Sequence, residues 1–133
     1  MKTDKRTRGA KATAKKGIVK KYYKDGSLAS VGKMKDGKHT GTWKHYLRNG
    51  QLRATGKFKN GKLDGPWKWW RENGKLMQTG GFKDGARAGV WKRYRPDGMP
   101  YDEGRYIGEK RVGEWKRYDA KGKLAKMRKH KTA

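Results

Sequence analysis

A repeat of 24 residues runs through most of this chain and constrains its fold more than any other feature. Trp43, Trp67, Trp91 and Trp115 follow one another at intervals of 24 residues, and each is followed directly by lysine. A second aromatic residue and three glycines return at the same interval, as does a leucine that only Pro100 interrupts. A fixed period of this length is the signature of an architecture in which each unit packs against its neighbours.

Each unit is predicted to contain two short strands joined by tight turns. In the segment "LRATGKF", residues 52–58, apolar or small side chains alternate with polar ones, as in a half-buried strand. The segment "TWKHY", residues 42–46, is rich in residues that favour strands. Asn-Gly and Asp-Gly pairs between such segments are strong hairpin signals. About four and a half units therefore predict an all-β fold, an elongated single-layer antiparallel meander of roughly eight to nine strands.

The glycines inside the strands suggest how a single layer packs. A strand glycine leaves room for a neighbouring side chain, and a sheet with no second layer has to cover its glycine backbone with large rings. Gly56 and Gly80 are therefore expected to receive the flat faces of tryptophans from adjacent strands. On this interpretation four tryptophans are structural: Trp43, Trp67, Trp91 and Trp115.

Two aromatic positions do not fit this simple scheme. Trp69 lies in the repeat position of Lys21, His45, Arg93 and Arg117, so it is a candidate for a surface contact. The repeated tryptophan and tyrosine are three residues apart, as in Trp43 and Tyr46, and cannot both face one side of a regular strand. Either a bulge intervenes or both faces of the sheet carry aromatic residues.

The charge of the chain is strongly positive, with 38 Lys and Arg against 12 Asp and Glu and a formal net charge of +26. Residues 1–17 are predicted to form a basic N-terminal arm and residues 121–133 a basic C-terminal arm, both unstructured, on either side of a repeat domain over residues 18–120. Such arms bind polyanions or simply remain solvated. The candidate anion-binding residues of the arms are Arg6, Arg8, Lys15, Lys16, Lys126, Arg128 and Lys129.

Within the repeats, the lysine after each tryptophan position predicts a row of positive charge. Equivalent positions two strands apart lie roughly 9–10 Å from each other. Arg93 and Arg117, which directly follow two of these lysines, are expected to add positive charge in the row beside the lysine row. A row of this kind suits a nucleic-acid backbone or anionic lipid headgroups and reads no base sequence. Strand lysines also protect a sheet from edge-to-edge aggregation, which is the alternative explanation. The row comprises Lys20, Lys44, Lys68, Lys92 and Lys116.

Catalytic and metal chemistry find little support in the sequence. The chain has no cysteine, and its three histidines, His39, His45 and His130, lack the spacing of metal ligands. The segments "GKFKNGKL" and "GKMKDGKH" resemble phosphate loops but have Leu63 and His39 where serine or threonine would bind magnesium. Asp102 and Glu103 are adjacent carboxylates in a predicted loop. We therefore expect neither an enzyme nor a cofactor.

The pattern GxWKxYxxxGxLxxxGxFxxGxxxG, which runs from about Val19 to Leu124, closely resembles the MORN-repeat-variant family, including proteins described as YwqK-type antitoxins. The resemblance implies an elongated, twisted sheet of hairpins that serves as a scaffold without enzymatic activity. It also implies a link either to membranes and phosphoinositides or to toxin neutralisation. The chain departs from the pattern at Val19, at Pro100 and at Gly108, and the last two predict an irregular hairpin around residues 99–111.

Three functions follow from these observations as hypotheses. The first is a non-enzymatic MORN-type scaffold that binds a polyanion, RNA or DNA, without sequence preference. The second is a protein-binding module, such as an antitoxin or immunity protein for an acidic partner. The third is peripheral binding to anionic lipids, which charge alone would support. The N-terminus lacks the apolar segment of a secretory signal, so we expect a cytoplasmic protein.

Overall fold

The computed structural model describes residues 17–131, and within them the chain forms ten β-strands and no helix. The strands are β1 (Gly17–Tyr22), β2 (Leu28–Lys35), β3 (Lys38–Tyr46), β4 (Leu52–Lys59), β5 (Lys62–Trp70), β6 (Leu76–Lys83), β7 (Ala86–Tyr94), β8 (Pro100–Ile107), β9 (Lys110–Tyr118) and β10 (Leu124–His130).

The strands form one open sheet in which each strand pairs with the next one along the chain, from β1 to β10. Every pairing is antiparallel, for example Trp43 opposite Gly56 in β3 and β4. This confirms the predicted all-β, single-layer antiparallel meander. The short turns are built on residue pairs with positive φ, such as Asn60 and Gly61, as the hairpin signals in the sequence predict.

The prediction of an unstructured C-terminal arm is wrong over Leu124–His130, because these residues form β10. This strand pairs with β9 from Leu124 opposite Tyr118 to His130 opposite Gly113. The strand follows the repeat in length and register, so it is a further half-unit. Its basic composition made it resemble a solvated arm in the sequence. The sheet therefore has ten strands rather than eight or nine. Of the predicted N-terminal arm, residues 1–16 lie outside the described part of the chain.

The hairpin predicted to be irregular around residues 99–111 is regular, which corrects that prediction. Pro100 begins β8, a strand position that tolerates proline, and lies opposite Tyr94 as leucine does in other repeats. Gly108 and Glu109 both have positive φ and form the two-residue turn. The glycine has moved to the first turn position, and Glu109 takes the second at φ 73°.

The four repeated tryptophans lie flat on strand glycines and make up most of the buried surface. Trp43 is fully buried, and Trp67, Trp91 and Trp115 are at most 6% exposed. A methyl group added at Gly56 would meet the Trp67 ring at about 2.1 Å, so only glycine fits beneath it. The same arrangement recurs at three further pairs: Gly32 with Trp43, Gly80 with Trp91, and Gly104 with Trp115.

A hydrogen bond fixes each of these rings in its place. The indole N–H of Trp67 donates to the carbonyl of Lys57 at 2.9 Å, and Trp43 donates to Lys33 at the same distance. The pairing register shifts just beyond Gly32 and Gly56, so the regular ladder is interrupted where the indole bonds to the backbone. The bulge is therefore part of the tryptophan site.

Aromatic rings of the neighbouring strands stand edge-on between the flat tryptophans. Phe58 meets Trp43 and Trp67 at interplanar angles of 81° and 89°. Phe82 and Tyr106 repeat the arrangement further along the sheet. Edge-to-face contacts of this kind add to the free energy of burial. The core of this single layer is thus a continuous chain of rings on one side of the sheet.

Candidate functional site

The two faces of the sheet differ in chemistry because side chains alternate along each strand. Trp43 and His45 stack on the same side at a ring distance of 6.3 Å, so Lys44 between them points to the other side. We call the side with the four repeated tryptophans the aromatic face and the side with Lys44 the lysine face. Both faces carry aromatic residues, since Tyr118 donates a hydrogen bond to Glu103, which is paired with Lys116 on the lysine face.

The pairing register places the predicted lysine row across the lysine face. Val31 lies between Lys20 and Lys44, and Thr55 between Lys44 and Lys68. The row continues through Thr79 to Lys92 and through Glu103 to Lys116. The first four lysines are exposed and Lys116 is half-buried. Glu103 is the one carboxylate in this row among the described residues.

The lysine face carries further lysines that were not predicted from the sequence. Lys35 lies opposite Lys38, and Lys59 lies opposite Lys62, beside the tight turns. Opposite residues of an antiparallel pair share a face, so these pairs form a second lysine row near the turns. The sequence signal was the recurrence of lysine on both sides of the turn in "KDGK" and "KNGK".

Arg93 and Arg117 do not lie beside the lysine row, which corrects that prediction. Each directly follows a row lysine along its strand, so its side chain points to the aromatic face. Both lie opposite Asp102 in the register. Arg93 donates a hydrogen bond from Nε to Asp102 at 2.8 Å, and Asp102 is only 7% exposed.

Trp69 is packed into the aromatic face rather than projecting from it. Its ring stacks with Trp67 and Trp91 at centroid distances of 5.8 and 5.5 Å, and it is half-buried. His45 occupies the same place one repeat earlier, stacked between Trp43 and Trp67. A contact of Trp69 with a partner stays a prediction, limited to the part of the ring left exposed.

The candidate residues of the arms fall into three groups. Arg6, Arg8, Lys15 and Lys16 lie outside the described residues. Lys129 lies on the lysine face opposite Glu114. Lys126 and Arg128, opposite Arg117 and Trp115, belong to the aromatic face.

The two faces also differ in how their charges are paired. The ion pairs within residues 17–131 are Arg87 with Glu109 and Arg93 with Asp102, and both use arginine. The hydrogen bonds that Arg93 donates to the Asp102 carboxylate raise the pKa of its guanidinium above the usual value. Hydrogen bonds from the backbone and side chain of Arg87 lower the pKa of Glu109. No lysine of the described chain forms an ion pair, so the positive field of the lysine face is largely unneutralised.

Two histidines of the aromatic face have pKa values lowered by their surroundings. Burial lowers the pKa of His39 and of His45, and the nearby charge of Lys21 lowers both further. Both rings lie close to the Trp43 ring, with centroid distances of 4.1 Å for His39 and 6.3 Å for His45. The described residues contain no cluster of histidine and carboxylate side chains that could hold a metal ion. They likewise contain no helix suited to crossing a membrane.

Comparison with known families agrees with this geometry. The family described as MORN repeat variant matches residues 15–36, 40–60, 63–84 and 111–131. The interval that it does not match contains β8 and its departures at Pro100 and Gly108, although the strands there keep the common register. MORN repeat proteins are generally non-enzymatic scaffolds. No curated protein sequence matches the chain.

Proposed function

The chain belongs to the MORN repeat variant family, and from this premise we propose that it is a non-enzymatic scaffold that binds a nucleic acid, RNA or DNA, through its phosphate backbone. The observation that carries the proposal is the row of lysines in register across the lysine face. Binding of this kind is independent of base sequence. That the protein acts in the cytoplasm also stays part of this proposal.

The spacing of the row supports a linear polyanion as the ligand. Lys44, Lys68 and Lys92 lie on alternate strands, so neighbouring members are separated by about 10 Å. All three are exposed, and lysine is a flexible point charge that can follow a phosphate chain without a fixed geometry. A row of such charges fits a repeating phosphate backbone better than a single compact anion.

The electrostatic balance of this face gives further support. Lysines near the turns, such as Lys35 and Lys59, extend the positive surface beyond the row. Glu103 and Glu114 are the carboxylates paired with lysines in the register of this face. Repulsion among unpaired lysines opposes folding, and a polyanion relieves it on binding. The release of counterions from the nucleic acid then supplies much of the binding free energy.

The test is the salt dependence of binding to a short RNA duplex, measured by fluorescence anisotropy. A triple variant, Lys44→Gln with Lys68→Gln and Lys92→Gln, removes three charges from the row. We expect the slope of log affinity against log salt to flatten by about one for each lysine. The matched control removes three charges from exposed turn lysines that belong neither to the row nor to the aromatic face: Lys24→Gln, Lys75→Gln and Lys121→Gln.

The control variant is expected to leave the slope for the duplex nearly unchanged. Equal flattening by both variants would mean that binding is diffuse and that the lysine row has no special part. A pull-down from nuclease-treated lysate provides the second comparison. Recovery of one acidic protein in stoichiometric amount, unaffected by nuclease and only mildly by salt, would replace this proposal with the protein-binding module.

A further inference from the structure

A second cationic surface lies on the aromatic face, where the sheet ends in β9 and β10. Its side chains line one shallow concavity of about 220 Å³ beside Trp115. The carboxylate in this lining is Asp102, which is already hydrogen bonded to Arg93. The concavity is therefore strongly positive. We call the following residues the arginine cluster: Arg93, Arg111, Arg117, Lys126 and Arg128.

The repeat itself does not require these charges. His45 and Trp69 hold the position of Arg117 in two earlier repeats and pack against the flat tryptophans, although Lys21 and Arg93 are cations there. The position of Lys126 holds no cation in any earlier repeat. Arg93 lies opposite the carboxylate of Asp102, whereas Arg117 lies opposite Lys126 on β10, so cations lie on both strands at this place on the sheet.

Arg128 is a further departure at the same place. Its repeat position is held by glycine in every preceding unit, as at Gly80 and Gly104, where a tryptophan ring covers the backbone. Arg128 lies opposite Trp115 on β10, and among the described residues no strand follows β10 to supply a ring that covers it. The end of the sheet explains why glycine is not needed here, but it does not explain an arginine.

The chemistry of the cluster fits a phosphate attached to a flat ring. Arginine presents a planar fork of donors that matches phosphate oxygens. The guanidinium of Arg111 lies 4.1 Å from the centroid of the Trp115 ring, and Arg111 is exposed, so its outer face is open for stacking. Tyr101 adds an aromatic ring beside Arg93 at 5.2 Å. Bases stack on guanidinium planes as well as on aromatic rings.

We propose that the arginine cluster is a binding site for a nucleoside monophosphate, as a free nucleotide or as the phosphorylated end of a nucleic acid. The phosphate contacts Arg117, Lys126 and Arg128, and the base stacks on Arg111. In the second form, the inference rests on the proposed function and adds an end-specific site to it. The cluster belongs to the face opposite the lysine row. Lys116 of the row also lines the concavity, but the triple lysine variant leaves Lys116 unchanged, so the two can be tested separately.

The apolar residues of β10 argue against a lipid as the source of the phosphate. Leu124 and Met127 are about half exposed, but they lie opposite Tyr118 and Lys116 and so belong to the lysine face. The side chains of β10 on the aromatic face are Lys126, Arg128 and His130. On this face β10 therefore offers no large apolar side chain that could insert into a membrane in contact with the cluster.

The experiment compares short single-stranded oligoadenylates that differ only in carrying a phosphate at the 5′ end, at the 3′ end or at neither. The wild-type protein should bind one phosphorylated form about tenfold to a hundredfold more tightly than the unphosphorylated one, as expected for charged hydrogen bonds. The cluster variant is Arg117→Trp with Lys126→Gln and Arg128→Gly. It uses residue types that the chain already has at these repeat positions, so it should keep the fold, which circular dichroism and thermal unfolding check.

In the cluster variant the ratio of the two affinities should fall to about one, while the weaker binding of the unphosphorylated oligonucleotide persists. The triple lysine variant should lose overall affinity but keep the ratio. Direct binding of adenosine 5′-monophosphate but not of adenosine, measured by isothermal titration calorimetry, with no binding of any oligonucleotide or duplex, would support the free nucleotide and reject the proposed function.

Three results would overturn the inference. Equal affinity for all three oligonucleotides, with no competition by adenosine 5′-monophosphate, removes the phosphate site and leaves the proposed function intact. A phosphate preference that survives in the cluster variant places the site elsewhere. Binding to phosphoinositide-containing vesicles that needs the cluster, without any preference among the oligonucleotides, makes the ligand a lipid.

Discussion

The two faces of this sheet carry the same sign of charge but use it differently. On the aromatic face the strand cations are mostly arginines, and several lie on rings: Arg87 is 4.4 Å from the centroid of Tyr106, and Arg111 is 4.1 Å from that of Trp115. On the lysine face the strand cations are almost all lysines, with Arg105 as the described exception. Guanidinium groups stack on aromatic surfaces, whereas the strongly hydrated ammonium group of lysine stays in water.

This sorting indicates that most of the packing that stabilises the fold lies on the aromatic face, whereas the lysine face presents exposed charge. The aromatic face holds the buried tryptophans, both of the ion pairs of the described residues and the histidines of lowered pKa. The lysine face contributes exposed charge and few packed side chains. Substitutions at neighbouring residues of one strand should therefore have opposite effects on stability and on binding.

The strongest test of the comparison uses Trp67 and Lys68, which are adjacent but face opposite sides. Trp67→Ala should lower the free energy of unfolding by about 3–5 kcal/mol, because it removes a buried ring and uncovers Gly56. Lys68→Ala should change it by less than about 0.5 kcal/mol, because its side chain is exposed. Urea unfolding followed by circular dichroism measures both. A loss of similar size in Lys68→Ala would show that the lysine face also stabilises the fold.

A smaller but sharper test uses the adjacent glycines Gly80 and Gly81. A methyl group at Gly80 would lie about 2.0 Å from the Trp91 ring, whereas one at Gly81 would meet the Ala88 carbonyl at 3.1 Å. The Trp91 ring cannot move freely, since its indole is hydrogen bonded to Gly81 and Phe82 stands edge-on against it. Gly80→Ala should therefore cost about 1–3 kcal/mol of stability.

Gly81→Ala is the matched control for that substitution. The position belongs to the lysine face, and other repeats have Lys33, Lys57 or Arg105 there, so the backbone accepts a side chain. We expect a change of less than about 0.5 kcal/mol, or a slight gain from the stiffer unfolded chain. Thermal unfolding of the two variants side by side distinguishes the faces. Equal losses would mean that backbone crowding, and not the tryptophan, requires glycine.

Much of the fold could be predicted because the repeat fixes the register. Once Trp43, Trp67 and their equivalents are aligned, alternation along the strand places a lysine row across the sheet, and strand glycines show where the rings lie. The single layer follows from the period and from the turn signals. None of this needs long-range information, since each unit contacts only its neighbours.

What could not be predicted depends on which face a residue joins and on where the repeat ends. Arg93 was expected to extend the positive surface beside the lysine row because it follows Lys92, although adjacent strand residues point to opposite sides. β10 was missed because Arg128 and His130 replace the glycine and the aromatic residue that mark the strand elsewhere. The concavity of the arginine cluster is formed by Arg93 on the aromatic face together with residues of β10. Because neither placement was predicted, the concavity could not be predicted from the sequence.

The mildest test concerns pH and separates the neutral part of the aromatic face from its arginine-rich end. Because burial lowers the pKa of His39 and His45 in the folded state, the unfolded chain binds more protons once the pH falls toward the usual value of about 6.5. Stability should therefore fall as the pH is lowered from about 7.5 to about 5.5. In a variant with His39→Leu and His45→Trp, the residue types of Leu63 and Trp69, the fall should be smaller. Urea unfolding at a series of pH values measures the slope, and equal slopes in both proteins would show that these histidines are not held neutral against Trp43.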